Sequence, residues 1–130
     1  MITISKKVEY SIILVSYLAK NRGEMISLAD VSGKLLLPYR FLGQLAGALK
    51  NGGIIDSREG KSGGYSLSKG WERKSLYDLL EVLGENKHMV KCLAGNVKCA
   101  HEADCQLKGV WHKIEKSFTK ELKLIKLSDL

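Results

Sequence analysis

Cysteine is missing from most of this 130-residue chain: all three thiols fall between Cys92 and Cys105, spaced C-x6-C-x5-C. An odd, clustered set argues against a disulfide framework and for metal binding or redox chemistry in a reducing compartment. Long apolar runs are missing too. The run near the start, Ile12 to Leu18, is broken by Ser16 and Tyr17 and falls far short of the roughly 20 residues a bilayer requires. Met1 to Glu9 leads into no small-residue cleavage site, so the expectation is a cytoplasmic protein with reduced thiols and no membrane partner. Proline occurs once, and there is neither a low-complexity linker nor an internal repeat. Nor is there a nucleotide-binding loop, a catalytic-triad pattern or an acid/base pair, and an enzyme is not expected.

What is present is positive charge, unevenly placed. The net charge is +7, with twelve Lys/Arg against six Asp/Glu in residues 1–75 and nine against eight in residues 76–130. The first part is therefore the candidate nucleic-acid face. Length alone predicts one integrated unit with a core that a second copy would help to complete.

Apolar residues at Ile4, Val8, Ile12, Val15 and Leu18 recur at steps of three and four, predicting an amphipathic helix over 3–20 that stops at Asn21-Arg22-Gly23. Ser27 with Asp30 three residues on marks a second helix start, with Leu28, Val31 and Leu35 as its buried stripe. After Leu36 and Leu37, Pro38 is placed to open a third helix, in which Phe41, Leu42, Leu45 and Leu49 face inward and which Gly52-Gly53 ends. Two short helices joined by a tight turn form a helix-turn-helix. The outward side of the second offers Tyr39, Arg40, Gln44 and Lys50 to a major groove.

Strands are predicted over 54–57 and 64–68 around the charged, glycine-rich turn Arg58 to Gly63, where Arg58 and Lys61 can meet phosphates or enter a minor groove. A helix-turn-helix followed directly by a basic hairpin is a winged helix. Ser75-Leu76-Tyr77-Asp78 opens a short spacer helix ending at Gly84. Beyond the cysteines, Leu107, Val110/Trp111, Ile114, Phe118, Leu122 and Ile125 repeat at about 3.5 residues, the spacing of a helix packed on a second copy of itself. The expected fold is thus mainly α with a small β-hairpin: a winged helix-turn-helix domain over 1–75, then a spacer helix, a cysteine loop (92–105) and a dimerisation helix over 76–130. On the residues alone, Cys92, Cys99, Cys105 and His101 make a tetrahedral zinc site, or the free thiols respond directly to oxidation.

The order of these parts and the stretch FLGQLAGALKNGGIIDSREGKSGGYSLSK, Phe41 to Lys69, resemble the Rrf-two family of winged-helix bacterial transcription regulators, which includes IscR-like and NsrR-like branches. The resemblance spans essentially the whole chain. It implies a homodimer on a palindromic operator in double-stranded DNA, acting as a repressor. It also implies an iron-sulfur cluster, 2Fe-2S or 4Fe-4S, held by Cys92, Cys99 and Cys105 and sensing nitric oxide, redox state or iron-sulfur supply. The IscR-like branch places a histidine three residues after the last cysteine, where this chain has Lys108. The NsrR-like branch takes a carboxylate from the first helix of the partner subunit, a position matched by Glu9. His101 is the alternative, followed by Asp104, Glu102, His112 or solvent. Phosphate or base contacts are assigned to Arg40, Gln44, Arg58 and Lys61, with Tyr39 and Ser62 next. Gly43 stands where relatives often carry a glutamate and Glu59 where a wing arginine is usual, with Arg58 one position earlier taking that role.

Overall fold

Helix α1 (Lys6–Lys20) starts where Ser5 Oγ accepts the Val8 N–H at 3.3 Å. That cap begins the helix later than the apolar spacing predicts and leaves Ile4 63% exposed instead of on the buried stripe. The buried line is Val8, Ser11, Leu14, Val15 and Leu18. The computed structural model describes residues 3–95 and 97–130; Asn96, inside the cysteine segment, lies outside the described residues.

Helix α2 (Leu28–Leu35) is capped by Ser27, whose Oγ accepts the Asp30 N–H at 3.1 Å. The chain then turns through Leu36, Leu37 and Pro38 into α3 (Tyr39–Asn51), with Pro38 at the cap, one position before its expected place. Leu36 sits at φ 55°, ψ 40°, the one non-glycine residue with positive φ among those described. Its Cβ crowds the backbone there, at a cost of roughly 1 kcal/mol. The turn is held from both sides: Ser32 Oγ donates to the Leu37 carbonyl at 2.6 Å, Leu37 is buried, and Pro38 keeps Leu37 extended. On α3, Leu42, Leu45, Ala46 and Leu49 are buried and Phe41 is half-buried.

Strands β1 (Ile55–Arg58) and β2 (Gly64–Leu67) pair antiparallel, from Ile55 opposite Leu67 to Arg58 opposite Gly64. β1 begins one residue later than predicted because the Ile54 N–H still closes the end of α3 on the Leu49 carbonyl at 2.9 Å. The hairpin is tied back to the lead-in of α2 by the Ile26–Tyr65 bridge, with bonds of 2.9 and 2.8 Å. Gly64 permits that approach: at φ 142° it lies so close to the Ile26 backbone that no side chain fits.

After a single helical turn at Trp71–Arg73, α4 (Leu76–Val82) carries a complete capping box: Asp78 N–H to Ser75 Oγ at 3.2 Å and Ser75 N–H to Asp78 Oδ2 at 2.7 Å. A short turn at Lys91–Ala94 leads through the cysteine segment to α5 (Gln106–Leu124). The chain then returns to the body. Leu76 N–H donates to the Ile125 carbonyl at 2.8 Å, Leu127 N–H to the Lys74 carbonyl at 2.9 Å, and the Lys123 ammonium lies 4.7 Å from the Tyr77 ring centre. Leu127 joins one apolar core with Val8, Leu14, Val31, Leu45, Leu49, Ile54, Leu79 and Leu83. Removing any one of these large side chains would cost about 2–5 kcal/mol. The architecture is therefore mainly helical with a two-stranded antiparallel hairpin, a winged helix-turn-helix followed by a long C-terminal helix.

Candidate nucleic-acid interface and cysteine site

The polar residues expected on the recognition helix are where the periodicity puts them. Tyr39, Arg40, Gln44 and Lys50 are all exposed on α3, opposite its buried leucines. Between them Gly43 and Gly47 leave the outer face bare, with nothing within 4 Å of where a Cβ would stand. The other α-helices of the winged helix and spacer begin on a serine hydroxyl, but α3 has Pro38, no side-chain cap and no acidic residue in its first turn. Its leading amides and the positive end of its dipole thus face outward without a side-chain acceptor, an arrangement suited to a phosphate oxygen.

In the hairpin, Lys61 and Ser62 are exposed at the tip, while Arg58 belongs to β1 itself. Arg58 also lines a cleft of about 640 Å³ with Arg22, Lys69, Trp71, Glu72 and Arg73. Arg22 is engaged there, 2.7 Å from Glu72 and stacked 5.9 Å from the Trp71 ring centre. The cleft at the flank of the wing thus gathers Arg22, Arg58, Lys69 and Arg73 beside Glu24 and Glu72.

The three cysteines are free thiols. Cys92 stands in the turn at Lys91–Ala94, half-buried; Cys99 is exposed in an irregular stretch; Cys105 is half-buried at the first position before α5. Lys108, one turn into α5, donates to Glu102 Oε1 at 2.7 Å. That hydrogen bond, and then the Glu102 charge, hold its ammonium above the ordinary lysine range. His101 and Asp104 are exposed on the single turn ahead of Cys105. Glu9 lies on the first turn of α1, half-exposed and paired with Lys6 at 2.8 Å. Among the described residues of one chain, no three Cys, His, Asp or Glu side chains are gathered as metal ligands. Glu9 is not brought to the cysteines within the chain, nor is His101 assembled with them.

The donor set nonetheless suits a soft-metal group: three unpaired, accessible thiols on one irregular segment, with little packing to resist their gathering. Two clamps hold the chain just ahead of that segment, and the sequence pattern reveals neither. Lys7 Nζ donates to the Leu83 carbonyl at 3.1 Å and lies 3.6 Å from Glu85, joining the first turn of α1 to the end of α4. His88 Nδ1 meets Glu115 Oε1 at 2.6 Å while the Met89 N–H donates to Glu115 Oε2 at 3.1 Å, fastening the segment to α5. Burial pushes the Glu115 carboxyl up, but these two hydrogen bonds outweigh it and hold the group below its ordinary value. The pairings join residues 76 and 27 positions apart, beyond the reach of periodicity. Leu36 also reads as part of a plain connection, although three leucines before the only proline are a visible anomaly.

Among the described residues no helix is long and apolar enough to cross a membrane. Of the row expected on α5, Leu107, Val110, Trp111, Ile114 and Phe118 are exposed, Leu122 is half-buried, and Ile125 stands just past the end of the helix.

A family model described as Rrf2, iron-dependent transcriptional regulator, matches residues 4–130. A helix-turn-helix transcriptional regulator of Haemophilus influenzae is 30% identical over 128 residues, covering 95% of this chain and 85% of that one. Two solved structures are similar along nearly the whole chain. CymR, the global cysteine regulator of B. subtilis, matches with a TM-score of 0.77 and 26% identity over 99% of this chain and 95% of its own. IscR of T. potens matches with a TM-score of 0.75 and 26% identity over 98% and 85%.

Proposed function

This chain belongs to the Rrf2 family of transcriptional regulators and is not an enzyme, and from that premise we propose that it is a homodimeric, cytoplasmic repressor governed by an iron-sulfur cluster. Residues 1–75 read a palindromic operator and residues 76–130 sense and pair. The observation that carries this reading is the position of the thiols. They occupy one irregular segment strung between α4, which abuts the recognition helix at Gly52 and Val82, and α5, whose apolar row is uncovered.

Cys92, Cys99 and Cys105 would hold the cluster, with the Glu9 carboxylate of the second copy as the fourth, exchangeable ligand; His101 is the alternative. When bound, the group supplies iron–thiolate bonds that change on nitrosylation, oxidation or loss. The protein's part is transmission. With the cysteines gathered, the loop that the His88–Glu115 clamp closes is drawn in on α5, while the Lys7–Leu83 clamp ties the chain just ahead of it to the first turn of α1. With them released, those clamps are free to shift, and the two α3 helices of the dimer change separation. Half-sites lie about one helical turn of DNA, roughly 34 Å, apart, so a small change in separation breaks simultaneous docking. Arg40, Gln44 and Tyr39 on α3 and Arg58, Lys61 and Ser62 on the wing make the contacts.

Anaerobic purification tests this directly. The expected preparation is brown, with iron and sulfide bound, and protects a two-fold symmetric DNA site that it leaves on exposure to nitric oxide or air. Glu9→Ala should alter the visible spectrum and speed cluster loss while the far-ultraviolet circular dichroism stays unchanged. A colourless anaerobic protein with one tightly held zinc per subunit would overturn the cluster, and an unchanged Glu9→Ala spectrum and signal response would overturn that ligand.

A further inference from the structure

The turn of the helix-turn-helix holds a leucine in a place where leucine is unfavourable twice over. Leu36 is in the left-handed backbone region, and its side chain is 88% exposed, the highest value among the large apolar residues described. A lone exposed leucine on a surface is ordinary. A leucine that is both exposed and held against its backbone preference is not, because glycine at the same position would remove the strain and the apolar exposure together. The surroundings enforce the conformation rather than relieve it: the Ser32–Leu37 hydrogen bond, the burial of Leu37 and the ring of Pro38 fix the turn on its far side. Leu36 packs nothing of its own chain that would repay this.

Its position supplies the reason. Leu36 stands immediately ahead of α3, whose first exposed residue, Tyr39, is 59% exposed and is followed by Arg40 and Gln44. In a helix-turn-helix the leading end of the recognition helix meets the base edges. The apolar feature of the major groove is the C5-methyl group of thymine, which is read by apolar contact and not by hydrogen bonding. We propose that Leu36, on the turn three residues ahead of Tyr39, is an apolar reading head that selects thymine at one position of each operator half-site. The inference rests on the DNA-binding reading above and adds to it the base class recognised and a residue outside the recognition helix that recognises it. The bare face at Gly43 and Gly47 lets the front of α3 sink far enough into the groove for a side chain on the preceding turn to arrive.

The test uses the full chain, purified anaerobically, to select duplexes from a pool with a randomised 30-base-pair centre. Wild type is expected to enrich a two-fold symmetric motif with thymine fixed at one position per half-site. Leu36→Gly is expected to enrich the same motif with that position relaxed, and Leu36→Met, which restores an apolar side chain, to recover it. Replacing that thymine by deoxyuridine removes only the methyl group. It should weaken wild-type binding about three- to five-fold per half-site, the effect of one buried methyl-sized group, and leave Leu36→Gly binding unchanged. The same thymine preference in Leu36→Gly, or wild-type binding indifferent to deoxyuridine, overturns the reading head while DNA binding stands. If wild type enriches no symmetric motif, the DNA-reading function falls and the reading head with it. Glycine suits the left-handed position, so loss of the fold does not confound the variant.

Discussion

A Cβ added to Gly52 would land inside the van der Waals surface of the Val82 side chain. Gly52 has an ordinary helical φ of −80°, so the constraint comes from packing and not from the backbone. Its neighbour Gly53 is the reverse case, with φ at 69° and nothing within 4 Å of where a Cβ would stand. The two therefore separate the two reasons a glycine is needed at the end of α3. Gly53→Ala should cost about 1 kcal/mol through backbone strain. Gly52→Ala should cost more, about 1–3 kcal/mol, because valine is stiff at χ1 and α4 must move away. Urea denaturation of both variants checks this, and a Gly52→Ala midpoint at or above that of Gly53→Ala would sink the packing account. The contact also matters for function, since it is where the spacer leading to the cysteines touches the recognition helix.

At the scale of elements, α4 shows how a cap is tied to pH. Burial raises the Asp78 carboxyl, but hydrogen bonds from the Ser75 backbone N–H and hydroxyl, helped by Lys74 and Lys126, hold it below the ordinary 3.8. A depressed carboxylate contributes stability above its unfolded value, and that contribution is lost as pH falls through the folded one. Wild type should thus exceed Asp78→Asn by about 1 kcal/mol near neutral pH, and the two melting curves should converge below about pH 4. Parallel curves down to pH 2 would show that the cap does not titrate. This cap is legible in Ser-x-x-Asp, as are Ser27 and the stripes of α2 and α3, because caps and stripes are set within one or two turns. The start of α1 is misread from the pattern because the apolar Ile4 fits the period while Ser5, a better cap, ends the helix before it. The cysteines are legible as a cluster in sequence, yet the single chain does not gather them. The contacts that hold the approach to them, Lys7 with Leu83 and His88 with Glu115, join residues distant in sequence, and no local pattern marks them.

The whole molecule carries a net charge of +7, with a basic winged helix and an exposed apolar row on α5. The winged helix already shares a core with α4 and Leu127, and among the described residues the α5 row from Leu107 to Phe118 is left exposed by its own chain. A coiled-coil-like spacing on an exposed helix is satisfied by a second copy, in which each row covers the other. Ile114→Glu and Phe118→Glu, both more than 40% exposed in the chain alone, should leave the monomer folded, since neither supports its core. In a pair they would bring like charges into an apolar seam, and sedimentation equilibrium at micromolar concentration should show the double variant as a monomer. Loss of pairing removes the second reading head and, with it, protection of the symmetric DNA site. What remains is weak, sequence-independent binding that falls steeply as salt rises. If Glu9 of the partner subunit closes the cluster, the monomer should also lose its visible absorption faster than wild type. A double variant that still sediments as a dimer would move the interface off α5, and a monomer that keeps wild-type absorption would place the fourth ligand within the chain.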